Sequence, residues 1–366
     1  MSAPADPGAA GSLRILHVDS GREWRGGQNQ VRLLARELAH DPRVAQRLVT
    51  RRASELARRA SGHGVPVRQV PWGWSLDPRT LWRLTRELRA FRPTIVHAHD
   101  SHALQLAHWA RLLEQRRNTW PALIGTRRVD FPVRRSSVWF RAERIVAVSN
   151  AVRDVLTADG VPPPRIAVVR DGVDPTEIRE AATQPFDVRT RLGVGPKTPV
   201  IANVAALVDH KDHATLLRAA ELARQTRPDV HWVIAGDGPL RPVLSAAIAR
   251  GALGDRVHLL GWVPQVDALI READVFVMCS KTEGLGSVVL HALVLGTPVV
   301  ATRAGGLPEI APPEGLVPVG DPGALARAAL LALERGVGGT LPAECTAEGM
   351  ARLTLAVYDA VAPGRV

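Results

Sequence analysis

Apolar and polar positions alternate in blocks along almost the whole chain, short apolar runs each followed by an amphipathic stretch. In the first half the apolar runs fall at 13–18, 46–50, 94–98, 122–126, 145–148 and 166–169. Runs this short, bounded by polar and turn-forming residues, predict buried strands. Between the first two, residues 30–39 place Val31, Leu33, Leu34 and Leu38 at helical spacing. The second half repeats the pattern. Strands are predicted at 199–204, 231–235, 257–260, 274–278, 298–301 and 316–318, and helices at 212–226, 239–250, 265–272, 286–295, 307–311 and 322–335. Such alternation predicts an α/β protein with two doubly wound, Rossmann-like parallel sheets, each covered by helices on both faces.

The break between the domains is expected near 173–185, after the run Ile166–Val169 and the turn Asp171-Gly172. The domains are then 13–173 and 174–345. Residues 346–366 carry a last helical pattern, 347–361, expected to pack back on the first domain. Residues 1–12 lack the basic-then-apolar order of a signal segment and read as a disordered tail.

Composition sharpens this. A chain of 366 residues, 46% hydrophobic and 23% charged, has the apolar content for two cores. Its two cysteines, Cys279 and Cys345, form neither a disulfide framework nor a metal cluster, which fits a reducing cytoplasm. No run of eighteen apolar residues marks a membrane span. Charge is uneven. Residues 1–172 hold 29 Arg, no Lys and 15 acidic residues, whereas the rest holds 18 basic and 21 acidic. An Arg-rich half either solvates helix faces or attracts an anionic partner, such as a phosphorylated acceptor or the inner face of a membrane. Nucleic acid is disfavoured because aromatic residues, which would stack on bases, are only 4% of the chain.

In open α/β sheets, ligands sit outside the carboxyl ends of the strands, so the loops after strands carry the candidate chemistry. After the run Val275–Met278 comes Ser280-Lys-Thr-Glu283-Gly284-Leu285-Gly286-Ser287, where two glycines permit close backbone approach and Ser287 opens a helix. This is either a ligand loop or an ordinary strand–helix turn. The stretch 203–213 puts Lys211 at a helix start, where the dipole disfavours a cation unless an anion is near; otherwise the lysine is simply solvated. Gly236-Asp-Gly238-Pro239-Leu240-Arg241 begins like a dinucleotide fingerprint but lacks its third glycine. In the first half, Asp19–Gln28 leads into Gly26-Gly27, and two more loops carry His97-Ala-His99-Asp100 and Thr126-Arg-Arg128. His with Asp allows general-base chemistry. The histidines of 97–108 lack the ligand spacing of a zinc site, so no metal is expected.

Taken in order, these motifs resemble those of retaining glycosyltransferases of the GT-B fold, above all family 4. The resemblance covers nearly all of 13–361 and rests on Gly26-Gly27, Val96–Asp100, Val148-Ser-Asn150, Asp171–Asp174, Ala205–Lys211, Gly236–Arg241, Glu283–Gly286, Gly296–Val300 and Gly305–Glu309. It implies two Rossmann-like domains facing a cleft, with a nucleotide sugar, UDP- or GDP-linked, on the second domain. The acceptor, a cell-envelope glycan or lipid-linked saccharide, would lie mainly on the first. It further implies transfer with retention, no cofactor and no metal. Glu283 is carried over as the acid against the donor sugar, with Gly284, Leu285, Gly286 and Ser287 as backbone contacts. Lys211 is carried over as the phosphate cation, and Glu283, Lys211, Arg128, His99 and Asp100 are the expected catalytic residues. Gly26, Gly27, Gly236, Gly238, Pro239 and Leu240 are carried over as donor contacts.

Three positions depart from the family pattern. His291 stands eight residues after Glu283, where the family has a second acid on the ribose. Neutral imidazole still accepts a hydroxyl hydrogen bond but gives up the charge-assisted contact. Ala206 stands where an arginine usually partners the lysine. Arg128 stands where many relatives have a histidine, and is expected, with Arg127, to supply the missing charge. A sugar-nucleotide epimerase on the same fold, or a catalytically silent nucleotide-sugar-binding module, are the alternatives.

Overall fold

The computed structural model describes residues 13–73, 77–114, 120–251, 253–336 and 338–362. The expected tail 1–12 lies outside them. The chain divides into two compact units, Met1–Gly172 with Ala347–Val366, and Val173–Thr346.

Unit 1 runs β1 (Leu13–Asp19), α1 (Gly26–Leu38), β2 (Val44–Arg51), α2 (Glu55–Ala60), β3 (Val67–Val70), α3 (Pro78–Phe91), β4 (Ile95–Ala98), α4 (Ser101–Glu114), β5 (Ala122–Arg127), β6 (Arg144–Ala147), α5 (Asn150–Ala158) and β7 (Ile166–Val168). Its seven strands are ordered β3-β2-β1-β4-β5-β6-β7 and all pairs are parallel. Unit 2 runs α6 (Pro175–Ala181), α7 (Val188–Leu192), β8 (Val200–Val204), α8 (His213–Thr226), β9 (His231–Ala235), α9 (Arg241–Arg250), β10 (Val257–Gly261), α10 (Val266–Glu272), β11 (Val275–Met278), α11 (Ser287–Leu295), β12 (Val299–Thr302), β13 (Leu316–Val317) and α12 (Pro322–Arg335). Its six strands are ordered β10-β9-β8-β11-β12-β13, again parallel. Central strands such as β4, β9, β11 and β12 are buried along their whole length, which is why they read as mainly apolar runs, β11 without a break.

Two expectations need correction. The apolar pattern did not reveal β3, Val67-Arg-Gln-Val70, whose two central residues are exposed. It is the edge strand, where polar residues are tolerated because one side of the ladder is open. The helix expected over 307–311 is only a 3₁₀ turn, Leu307–Glu309. Pro312 and Pro313, three and four residues beyond Glu309, prevent its continuation.

The chain leaves unit 1 at Gly172, whose N–H and carbonyl both bond the Gln30 side chain at 2.9 Å. It returns at α13 (Ala347–Val361), which places Met350, Ala351, Val357 and Tyr358 in a core with Leu34, Leu38, Ile95 and Ile124. Tyr358 is fully buried, and its hydroxyl lies 2.6 Å from His97 Nδ1 on β4. A C-terminal helix therefore completes the core of the N-terminal sheet. Among the described residues, no helix is long and apolar enough to cross a membrane.

Tyr358→Ala should lower the stability of unit 1 by about 3–5 kcal/mol, as for other large-to-small core changes. Tyr358→Phe should cost about 1–3 kcal/mol by stranding the His97 nitrogen. Denaturant unfolding of both variants checks this; an unchanged midpoint for Tyr358→Ala would show that α13 does not hold the unit together.

Candidate functional site

Strand order fixes where each unit can bind. In unit 1 it reverses between β1 and β4; in unit 2 it reverses between β8 and β11. At such a reversal adjacent strands send their following loops in opposite directions and open a crevice at their carboxyl ends. The loops after β8 and β11 carry Lys211 and Glu283. The loops after β1 and β4 carry Gly26-Gly27 and His99-Asp100.

In unit 2 the two loops are tied together. Lys211 Nζ forms a short ion pair with Glu283 Oε2, both side chains mostly buried. Ser280 Oγ donates to the same carboxylate oxygen at 3.1 Å. Lys281 N–H donates to the His210 carbonyl at 2.8 Å, and Cys279 Sγ lies 3.2 Å from the Lys211 carbonyl. Burial pushes the Cys279 thiol up to about 12, so it acts as a small buried donor and not as a nucleophile. The loop then turns at Gly286, φ +87°, into α11, whose first turn has no side-chain cap and no acidic residue. Its leading N–H groups, with a lysine alongside, form a positive end suited to an anion. A Cβ on Gly286 would lie 2.5 Å from Leu307 Cδ2, so glycine is required there for space as well as for φ. Gly284 and Leu285 are buried and Ser287 is half-buried.

Gly236 and Gly238 have a different reason to be glycines. A Cβ on Gly236 would lie 1.9 Å from the Ala205 carbonyl oxygen, and one on Gly238 would lie 2.5 Å from that of Leu207. The turn after β9 folds against the turn after β8, with Leu207 N–H donating to Asp237 O and Leu240 N–H to Leu207 O, both at 3.0 Å. The glycines shape the Lys211 loop from behind. Pro239 and Ala206 are exposed beside this contact. Helix α9 starts at Arg241, two residues later than expected, with the Leu240 N–H bonded to the Leu207 carbonyl.

His291 is not an open acceptor on both nitrogens. Its Nδ1 lies 2.6 Å from Asp267 Oδ1 on α10, both side chains largely buried. The carboxylate fixes the imidazole's orientation and leaves Nε2 for other contacts.

In unit 1, Asp100 is heavily used. It accepts from Ser20 N–H at 2.8 Å, Ser20 Oγ at 2.6 Å and Ala103 N–H at 2.9 Å, so it caps α4 and fastens the loop after β1. Arg128 is also engaged: its Nε lies 3.2 Å from Asp171 Oδ1 and its Nη1 donates to the His99 carbonyl at 3.1 Å. Its Cδ is 3.7 Å from where a Gly27 side chain would begin, which places the guanidinium stem at the start of α1. Gly26 is exposed there, and α1 has neither a side-chain cap nor a first-turn acid. Arg127 turns away, buried over Trp139 and donating to the Phe131 carbonyl.

His99 belongs to a buried cluster with His17 and His97, one ligand atom from each lying within 4.8 Å of the others. Count alone invites a metal, but both nitrogens of His97 are hydrogen-bonded at 2.6 Å, to Tyr358 and Thr126, and His17 Nδ1 faces His99 Nε2 at 3.0 Å. Burial depresses all three, His17 to about 4, so the cluster is neutral; His17 Nε2 and His99 Nδ1 are buried without a hydrogen-bond partner among the described residues.

Motif reading quoted Asp19, Asp171 and Ser280 within its motifs without giving them a site role, and missed Asp267 altogether. Asp19 ends β1 almost wholly buried, accepting from Gly21 N–H at 2.9 Å with Gln28 Nε2 at 3.3 Å. Burial, and then Asp100, push it up to about 6. The available signal was its place at a central strand's carboxyl end, beside the helix opening that motif reading did single out.

Two family models match the chain. Residues 24–177 match the one described as Glycosyltransferase Family 4, and residues 198–335 the one described as Glycosyl transferases group 1. The amylovoran biosynthesis glycosyltransferase AmsK of Erwinia amylovora is 31% identical over 215 residues, 55% of this chain and 49% of that protein. The 2-deoxystreptamine glucosyltransferase of Streptomyces kanamyceticus is 34% identical over 172 residues, 46% of this chain and 44% of that protein. These matches span about half the length of the relatives. Among solved structures, Anabaena HepE in complex with UDP and glucose aligns with a TM-score of 0.74 at 20% identity, covering 96% of this chain and 100% of that one. A glycosyltransferase from Rickettsia africae aligns at 0.80 and 17%, covering 96% and 99%. The fold and its two crevices thus define a two-domain α/β protein of the GT-B architecture. With a glycosyltransferase model matched in each half, the chain stands among the GT-B glycosyltransferases.

Asp19 gives a pH prediction. Its folded value, about 6, lies above the ordinary 3.8, so its contribution to stability is fully present below pH 3.8 and is lost as pH rises through about 6. Asp19→Asn cannot ionise and should exceed the parent in stability above pH 6, by up to about 3 kcal/mol. The gap should close toward pH 4. Paired unfolding midpoints between pH 4 and 8 check this; a gap that did not change with pH would refute the assignment.

Proposed function

We propose that the chain transfers a glycosyl group from a nucleotide sugar, UDP- or GDP-linked, to a saccharide or lipid-linked acceptor of cell-envelope glycan synthesis. Transfer retains the anomeric configuration and needs neither metal nor cofactor. The observation that carries this reading is the Lys211–Glu283 pair at the switch point of unit 2, at the uncapped start of α11. Bond cleavage at a sugar's anomeric carbon leaves charge on the departing diphosphate and a deficit on the sugar. Lys211 and the α11 N–H groups suit the first, and the Glu283 carboxylate suits the second. The pair holds both groups in place before substrate arrives, so little reorganisation accompanies reaction. His291, oriented by Asp267, takes the nucleotide ribose. The acceptor lies at the crevice of unit 1, with Arg128, His99 and Asp100 around it. Support for a glycan acceptor comes from the matched relatives, which include a Rhizobium meliloti lipopolysaccharide core glycosyltransferase as well as AmsK.

Fold alone does not separate transfer from epimerisation, because a putative UDP-N-acetylglucosamine 2-epimerase from Listeria monocytogenes aligns with a TM-score of 0.62. The epimerase reading predicts turnover without acceptor; a silent module predicts binding with no turnover.

Thermal shift against UDP, GDP, ADP, CDP and their common sugars tests the donor. A nucleotide at ~100 times its dissociation constant should stabilise the protein by roughly 2.7 kcal/mol. Lys211→Ala and Glu283→Gln should each shrink that shift. No shift with any nucleotide would remove the reading.

Arg128→Ala should lower kcat/KM for the productive pair by about 10²-fold, as for loss of one preorganised donor, with the anomeric outcome read by NMR. Unchanged turnover would take Arg128 out of the reaction.

A further inference from the structure

We propose that the outer faces of α3 and α4 in unit 1 form a docking surface for an anionic lipid bilayer. On α3, Leu84, Leu88 and Phe91 turn into the core. The opposite side exposes Arg79, Trp82, Arg86 and Arg89 at helical spacing, a single stripe. Trp82 is 57% exposed, with the Arg86 guanidinium 4.8 Å above its ring. On α4, Trp109 and Leu113, four residues apart, are 45% and 56% exposed. The helices pack side by side and are tied by Arg89 Nε to Glu114 Oε1 at 2.6 Å. Beside Trp82 lies a shallow groove of about 380 Å³ lined by Pro71, Pro78, Arg79, Trp82 and Arg83.

The charge on this face is unbalanced. The one acid of α3, Glu87, is taken by Arg47 at 2.7 Å, and Glu114 by Arg89. Among the described residues, Arg79, Arg83 and Arg86 form no ion pair. Indole rings settle at the headgroup level of a bilayer, with the apolar ring facing the chains and the N–H facing water. Guanidinium groups pair with lipid phosphates, and an anionic surface adds attraction for each. A groove floored by proline and indole and rimmed by two arginines fits a lipid phosphate with its glycerol. The proposal deepens the reading of a lipid-linked acceptor by naming the face that meets the membrane. Its assay reads binding and not transfer, so either reading can fail alone.

The test is cosedimentation of the full chain with neutral phosphatidylcholine vesicles and with vesicles containing phosphatidylglycerol, at moderate salt. The parent should bind only the anionic vesicles. Arg79→Gln, Arg83→Gln and Arg86→Gln combined should weaken binding by on the order of fivefold per arginine. Trp82→Ser with Trp109→Ser should weaken it while leaving net charge unchanged. A control with Arg58→Gln on α2, Arg134→Gln and Arg352→Gln on α13, all exposed elsewhere on unit 1, should lose much less. Thermal unfolding of each variant confirms that it is folded. Equal binding to both vesicle types, equal loss in the two arginine triples, or capture by heparin with no vesicle binding would overturn the proposal.

Discussion

The site of unit 2 depends on one ion pair made across a reversal of strand order. Lys211 follows β8 and Glu283 follows β11, and their pairing joins the two loops that flank the crevice. Around it the backbone is arranged for close approach. Gly236 and Gly238 let the turn after β9 press against Ala205 and Leu207, and Gly286 lets α11 begin under Leu307. Asp212, directly after the lysine, adopts φ +51°, a left-handed conformation that aspartate tolerates better than most residues. A buried lysine or glutamate left alone would be costly, so neither half of the pair is dispensable to the other.

Unit 1 solves a different problem. Its two central strands and the residue after β4 bring three imidazoles together; burial keeps them neutral, His17 bonds His99, and His97 bonds Thr126 and Tyr358. The last of these partners comes from α13, so the C-terminal helix satisfies polar groups beneath the crevice as well as burying apolar ones. Asp100 then joins the loops after β1 and β4 through Ser20, and Arg128 joins those after β4 and β5 to Asp171. The groups expected to act on substrate therefore also hold the crevice together.

Most of both sheets was legible in the sequence because parallel strands buried on both faces leave mainly apolar runs, as at Val275–Met278 and His231–Ala235. The edge strand β3 left no such run. Lys211 and Glu283 were legible as motif members, but their pairing was not, since 72 residues separate them and only the fold brings them together. Asp267 was hidden for the same reason, and His291 looked like a lost acid until its carboxylate partner came into view. The glycines of 236–238 were legible as glycines, while the carbonyls they make room for belong to another loop.

The distribution of charge shows how composition can be right in sum and silent on place. An Arg-rich first half points to an anionic partner, and the simplest placement would put that partner in the crevice. Yet the crevice of unit 1 sets Asp19, Asp100 and Asp171 around Arg128, whose guanidinium is already paired. Desolvation raises Asp19, to about 6, and pushes Asp171 up as well, while the Arg128 charge pulls both back down. The surplus arginines lie instead on outer helix faces such as that of α3, in water, where unpaired guanidinium groups cost little to maintain. Long-range attraction by the first half thus originates on its outer surface. The hydrogen-bonding capacity of its crevice is set locally by buried carboxyls and one arginine.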